Sequence, residues 1–424
     1  MTRTESTLPR EQRILLLLVG SSLLINNFDL YIFTLALPQI QASLGIPEDK
    51  VGLYTGLIRL GVLAAFPLAF MADVIGRRRL LLITITGCAI TTVLSGFVRN
   101  STEYFALQTM ARCFAYAEDM LCFVIIAEEI DEKWRGWAFG RLMALGACGN
   151  GLAALLYTQV DALPHGWRDF YLISAVGLAG ILWARQSLKE TQRFETLRQH
   201  RLSVRRGLAA HLAPIGGLLH AYPGRFWAMV GTAAPMSFSL AAALAFLSKY
   251  LQETHHYSPG EVGTLMVLGG TVSLIGYFIA GRISDIVGRR TVLAVGILGS
   301  TVGLAAFYLV PGGVWLAPIW IFSIFAFFAA EVTLSALGAE LFPTSYRSTA
   351  SAARSVINVT AGLAGLAAES LLYGMLGSHA LAIVVLIAVT PLSLIPLLLF
   401  IPETARRTLE DISPEVGPGT TTLL

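Results

Sequence analysis

"ADVIGRR" occupies residues 72–78 and "SDIVGRR" occupies residues 284–290. Asp73 and Asp285, Gly76 and Gly288, Arg77 and Arg289, and Arg78 and Arg290 each stand 212 positions apart, half of the 424-residue length. The match continues downstream. "AEEIDEKWRG" (127–136) meets "AELFPTSYRS" (339–348), with Glu128 to Glu340 and Arg135 to Arg347 at the same offset. "KETQRFE" (189–195) then echoes "PETARRTLE" (402–410), where Glu190 and Glu403 are one residue out of step. Three landmarks in one order at a constant spacing are the mark of an internal duplication.

Between the landmarks the chain is oily: 55% hydrophobic and 13% charged, with a mean hydropathy of +0.67. Soluble domains carry roughly 25% charged residues, so the composition points to a bilayer as solvent. A hydrocarbon core about 30 Å thick takes about 20 apolar residues in a helix. Such runs lie near 14–36, 51–72, 80–98, 103–127, 137–157 and 170–188, then near 226–249, 261–282, 291–310, 315–339, 350–375 and 379–401. The pattern predicts an all-α polytopic membrane protein, with six helices over 14–188, a linker over 189–225 and six helices over 226–401. Residues 1–13 and 402–424 are read as polar tails. The first apolar run is too long for the core of a cleaved leader. Cys88, Cys113, Cys122 and Cys148 each sit in an apolar run without metal-type spacing, and read as small buried hydrophobes.

The basic residues set the expected orientation. Arg77, Arg78, Arg79, Lys133 and Arg135 fall on one side with Arg193, Arg198, Arg201, Arg205 and Arg206 of the linker and with Arg289, Arg290, Arg347, Arg406 and Arg407. The other side carries chiefly Lys50, Arg99 and Arg168. Positive residues stay inside, so both termini and the linker are expected in the cytoplasm. A formal net charge of +3 gives no reason to expect nucleic acid. In D-x-x-G-R-R the glycine permits a reversal, and the aspartate can cap or pair with a neighbouring helix end. These residues read as gate and topology elements rather than substrate contacts.

Twelve helices in two repeats, "ADVIGRRRLLL" and "GRISDIVGRRTVL" after helices 2 and 8, and "PETARRTLEDI" after helix 12 resemble the major facilitator superfamily over essentially the whole chain. The look is nearest to its sugar-and-metabolite proton symporter branch, which includes aromatic-acid and organic-ion carriers. The family's loop motif begins with a glycine four residues before the aspartate; Gly281 fits, whereas Ala69 stands there in the first half. The family's helix-4 arginine is matched by Arg112 in "ARCFAYAEDM". Glycines follow that arginine at four-residue steps in relatives, and here Tyr116 and Met120 replace them. Sugar carriers usually place Gln and Asn on helix 7, where this chain offers Ser237 and Ser239, so a sugar is disfavoured.

Charges inside the spans carry the functional expectation. An ionisable group at the bilayer centre costs about 2.5–3.5 kcal/mol on insertion scales, so it persists by facing a cavity or a partner. The candidates are Asp29, Arg59, Arg112, Glu118, Asp119, Glu331, Arg354 and Glu369; Arg141 lies near the surface and reads as snorkelling. Counted from the basic edge at 1.5 Å per residue, Asp29, Arg59 and Arg112 all lie about 21–24 Å deep. Asp29 is therefore expected to pair with one or both arginines. Burial favours a neutral carboxyl and an adjacent guanidinium a charged one, so separating the pair can load a proton. A permanent salt bridge holding helices 1, 2 and 4 is the competing reading. Asn26 and Tyr31 share the neighbourhood of Asp29, and Tyr116 falls on the stripe of Arg112 and Asp119. Ser237 and Asn358 are the polar candidates of the second half. Asp119 and Glu331, 212 apart, read either as a second proton or cation site or as gate pairs with Arg135, Arg141 and Arg354.

Together these features predict a proton-coupled symporter of a small organic anion, aromatic carboxylates included, with no metal or other cofactor and with the proton as coupling ion. The expected setting is a plasma or bacterial inner membrane, as a monomer partnered by solute, proton and lipid. Two alternatives remain: an organic cation or drug antiporter lined by Asp29, Asp119, Glu331 and Glu369, and a non-transporting sensor on the same fold. An enzyme is disfavoured, since no nucleophile–base spacing, phosphate loop or metal cluster is present.

Overall fold

The computed structural model describes residues 8–186, 216–407 and 412. Most of the linker and both tails lie outside them, as do the side chains of Asp73 and Arg135. The described chain is helical. Its twelve spans are α1 (Arg10–Leu35), α2 (Val51–Ile58 continued by Leu60–Phe70), α3 (Arg77–Gly96), α4 (Ser101–Glu129), α5 (Glu132–Tyr157), α6 (Trp167–Arg185), α7 (Pro223–Ala245), α8 (Pro259–Val287), α9 (Arg289–Leu309), α10 (Leu316–Glu340), α11 (Thr344–Leu376) and α12, which runs from His379–Ile387 through a tight turn at Thr390–Ser393 to Leu394–Phe400.

Local chemistry sets the breaks. Pro38 lacks an N–H and crowds the preceding turn, so α1 stops at Leu35 and a short helix, Leu37–Leu44, follows. Pro391 interrupts α12 for the same reason. At the start of α4, Asn100 accepts the Glu103 N–H (2.8 Å) while Glu103 accepts that of Arg99 (3.1 Å), a reciprocal cap.

The described chain divides into two units, residues up to 186 with 251–264, and residues 216–250 with 265–407. Within the first, α1 packs on α5 and α6, and α3 packs on α4 and α6. Within the second, α7 packs on α11 and α12, and α9 packs on α10 and α12. Adding six to each helix number converts one set into the other, so the duplication survives as a packing scheme. Backbones meet closely at the leading pair of each set. A Cβ on Gly149 of α5 would strike the Leu24 carbonyl of α1, and one on Gly365 of α11 would strike the Phe238 carbonyl of α7. Leucine, isoleucine and valine fill each interior: Val19, Leu23, Leu80, Leu121 and Leu142 in the first unit, and Leu293, Ile297, Leu334, Leu337 and Leu397 in the second.

Ten of the helices are long and apolar enough to cross a membrane. α4 and α6 fall short of that standard, and they are joined by a fully buried ion pair, Glu118–Arg185.

Candidate functional site

Asp29 points into the first unit and is 3% exposed. Its Oδ2 accepts a hydrogen bond from the Thr92 hydroxyl of α3 at 3.3 Å, and its Oδ1 makes no hydrogen bond among the described residues, with the Ser174 hydroxyl near the carboxyl group. Arg112 of α4 is equally buried. Its Nη2 donates to the backbone carbonyl of Asp29 (3.3 Å) and to Gln108 Oε1 (3.4 Å), and Gln108 in turn donates to Ser95 (3.0 Å). The expected contact ion pair is therefore not made. Arg112 is close enough to attract the carboxylate, but its hydrogen bonds go to a main-chain oxygen of α1 and to a residue one turn back on its own helix. Its Nε has no partner.

Arg59 corrects the expectation further. It sits at the interruption of α2, half-buried, and faces Tyr116 and Arg112 rather than Asp29. It makes no hydrogen bond or ion pair among the described residues. Two residues on, Gly61 explains the approach: a Cβ there would collide with the Thr109 carbonyl and press on Arg112 Cβ, so α2 and α4 nearly touch at this level. Two guanidiniums thus share one region with donor atoms unspent. Tyr31 is half-buried two residues after Asp29.

One turn nearer the N-terminus of α1, Asn26 donates from Nδ2 to Asp119 Oδ1 at 2.9 Å and accepts from the Cys88 thiol. Asp119 is thus held by an amide, while Arg141, one of its expected partners, lies over the Trp137 ring at 4.3 Å. Arg135 lies outside what is described. Deeper still is a pair the sequence reading did not assemble. Arg185 Nη1 donates to Glu118 Oε1 at 2.6 Å, with both side chains 0% exposed. Arg185 also donates to the Ser22 hydroxyl (2.6 Å) and to the Leu18 carbonyl from two nitrogens (2.9 and 3.0 Å). One guanidinium therefore ties α6, α4 and α1 together. Arg185 was passed over because it ends its helix beside the basic linker, where a snorkelling residue reads the same.

In the second unit, Arg354 Nη1 donates to Glu331 Oε1 at 2.7 Å and its Nη2 to Ser335 at 2.8 Å. Ser237 of α7 donates to Asn358 Oδ1 of α11 at 3.0 Å. Glu369, fully buried on α11, meets His379 Nδ1 at 2.5 Å. The sequence reading had not placed this histidine in any site.

The main motif contacts recur in both halves. Gly76 and Gly288 both adopt positive φ, 103° and 119°, directly before α3 and α9, a conformation that L side chains resist. Arg77 Nη2 reaches Glu128 Oε1 at 3.2 Å, and Arg289 Nη2 reaches Glu340 Oε1 at 2.7 Å. Arg78 donates to the Gln186 carbonyl (2.9 Å) and Arg290 to the Leu398 carbonyl (2.5 Å), partners again 212 apart. Asp285 joins Arg289 at 2.9 Å. Arg347 donates instead to the Ala339 carbonyl (2.8 Å). A Cβ at Gly281 would meet open space, so packing does not demand that glycine. Beyond the end of α12, Glu403 accepts the N–H groups of Arg289 and Arg290 at the start of α9 (2.8 and 3.1 Å). Partial burial pushes its carboxyl upward, but four backbone N–H groups, from Ala405, Arg289, Arg290 and Thr404, hold it below the ordinary carboxylate range.

Comparison with known proteins accounts for this arrangement. Residues 19–366 and 230–418 match the family model described as Major Facilitator Superfamily. The chain is 25% identical to the "Probable 4-methylmuconolactone transporter" of Cupriavidus pinatubonensis, covering 77% of this chain and 75% of that one. It is 24% identical to the "Cis,cis-muconate transport protein" of Acinetobacter baylyi, covering 80% and 82%. Among solved structures, that of a D-xylose-proton symporter superposes with a TM-score of 0.74 at 15% identity, covering 92% of this chain and 98% of that one.

Proposed function

This chain belongs to the major facilitator superfamily and is a multi-pass membrane transporter, and from that premise we propose that it couples proton movement to the uptake of a small carboxylate. The observation that carries the proposal is the pair of guanidiniums, Arg59 and Arg112, lying near each other with unspent donors and, among the described residues, no carboxylate in contact. A guanidinium binds a carboxylate through two parallel hydrogen bonds, so such a pair is matched by an organic anion. The relatives named for muconate and a muconolactone fit that chemistry.

In this reading Arg112 and Arg59 take the anion. Tyr116, Tyr31 and Asn26 shape its surroundings, and within the second repeat the Ser237–Asn358 pair is the polar candidate for substrate. Asp29 is the proton carrier: one oxygen is held by Thr92, the other is buried without a hydrogen bond among the described residues, and Arg112 is near but not bonded to the carboxylate. An arriving anion draws the guanidinium's attraction away from Asp29, which then accepts a proton. Asp119 is a second proton-linked carboxyl, and Glu331 with Arg354 acts as a gate pair. Alternating access of the two repeats moves solute and proton together. The Gly76–Arg77–Glu128 and Gly288–Arg289–Glu340 clusters, with Asp73, Asp285, Arg78, Arg290, Arg135, Arg347 and Gly281, form the gates. Basic residues put both termini on the cytoplasmic side of a plasma or bacterial inner membrane.

The test is uptake of radiolabelled cis,cis-muconate and benzoate into proteoliposomes, with and without an inside-alkaline gradient. Accumulation that collapses with the gradient supports the reading. Movement of organic amines with no carboxylate uptake would transfer it to the cation-antiport alternative.

A further inference from the structure

Glu369 and His379 take no part in the carboxylate-uptake reading above. Both belong to the second unit, which lacks the Asp29–Arg112 arrangement. Glu369 on α11 is 0% exposed, and its Oε1 lies 2.5 Å from His379 Nδ1 at the first position of α12. The imidazole is covered on its faces: Tyr373 stacks on it at 4.0 Å and 17°, and Phe246 lies at 4.7 Å and 33°. Its side chain keeps 17% of its surface open at the start of α12, whereas the carboxylate behind it is sealed. The titratable and charged groups on the elements packed around the pair are Tyr373 on α11, Tyr308 on α9, which lies within electrostatic reach of Glu369, and Lys249 and Tyr250 in the segment following α7.

Each feature suits a ring that takes and gives up a proton. A carboxylate oxygen at Nδ1 and two aromatic rings close to the imidazole are partners that a protonated ring uses better than a neutral one. The helix N-terminus behind His379 opposes the charge. A histidine is also the side chain whose charge changes between about pH 5 and 8. A merely structural bond to Glu369 needs no open edge on the ring.

We propose that Glu369 and His379 form a second proton-binding site, in the C-terminal repeat, loaded from the water at the α11–α12 loop and independent of Asp29. The proton adds to Nε2 of the neutral ring while Nδ1–H remains donated to Glu369. No other bond changes.

The experiment is side-chain nitrogen NMR on the full chain in lipid nanodiscs, with 15N-histidine, titrated from pH 8.5 to 5. His379→Gln identifies the signal by its loss. The expected result is a reversible titration of His379, with Glu369→Gln shifting its midpoint by about one pH unit or more and leaving the other histidines in place. Asp29→Asn, which tests the coupling reading separately, leaves the His379 curve unchanged. A His379 signal flat across the range, or a curve indifferent to Glu369→Gln, overturns the proposal. Should Glu369→Gln not fold, proton uptake on acidification from pH 7.5 to 5.5 decides between wild type and His379→Gln. One proton fewer per variant chain supports the site, and equal uptake refutes it.

Discussion

The two halves agree at their motif ends and part company in their interiors. At the turns, glycine, arginine, glutamate and even the carbonyl acceptors Gln186 and Leu398 recur at the same offset. Inside, the first half places Asp29, Arg112, Glu118 and Arg185, and the positions 212 later hold Ala241, Ile324, Ala330 and Leu397. All four of these are buried as well, and Ala330 and Leu397 belong to the apolar core of the second half. A duplicated fold therefore tolerates either filling at those depths. The lesson is that the charges of the first half are not required by the architecture, so function is the better reason for their retention.

The buried ion pair offers the hardest test of that comparison. Glu118→Ala or Arg185→Leu alone strands a desolvated charge and is expected to cost about 3–5 kcal/mol, read as loss of folded yield and a lower Tm in detergent. The double variant copies the second half and is expected to recover most of that stability. If it is no better than the singles, the two halves are not interchangeable at this depth.

Next come the transport residues. Arg112→Ala is expected to weaken carboxylate binding by more than about tenfold, by calorimetry, consistent with loss of a charge-assisted bond. Asp29→Asn is expected to abolish gradient-driven accumulation while sparing substrate exchange; accumulation at the wild-type level removes Asp29 from the mechanism. Copying the second half at this site, Asp29→Ala with Arg112→Ile, is expected to leave a folded protein that carries nothing.

Smaller differences are expected at the gates. Glu340 is engaged by two nitrogens of Arg289 and by the Thr404 hydroxyl, whereas Glu128 meets only Arg77 among the described residues. Glu340→Gln should therefore destabilise the fold more than Glu128→Gln, by about 1–2 kcal/mol against less than about 1 kcal/mol, read as the larger fall in Tm. Both should slow turnover with affinity little changed, and an equal loss of affinity contradicts a gating role.

The smallest effect concerns pH. Glu403 has a folded-state pKa below its ordinary 4.5, so its contribution is present above that value and fades as the pH falls below it. Melting curves in detergent between about pH 6 and 3 should show a Tm decline that is shallower in Glu403→Gln, which has nothing to protonate.

Much of this was legible in the primary structure, and the limits have physical causes. Helix count, repeat and motif turns are local or periodic features: apolar runs of membrane length, a glycine before two arginines, a fixed offset. The charged candidates were also legible, since an ion in an apolar run is conspicuous. Their partners were not. Asp29 and Arg112 were placed at one depth, yet the guanidinium bonds the main chain; Arg59 shares that depth and faces Tyr116. Sequence distance gives height along a helix but not rotation about it, and rotation decides which group a side chain meets. Arg185 and His379 were missed because each lies at a helix end, where composition cannot separate a snorkelling or loop residue from one turned inward.

By itself the sequence determined that the chain spans a membrane twelve times in two copies of one plan, because hydrophobic length and internal offset follow from order along the chain alone. Only the tertiary structure decided that Glu118 is held by Arg185, Glu369 by His379 and Asp119 by Asn26, while Arg59 and Arg112 keep donors to spare. Those choices depend on how helices far apart in the chain rotate and close against one another, at contacts such as Gly61 on Thr109 where the absence of a side chain sets the distance.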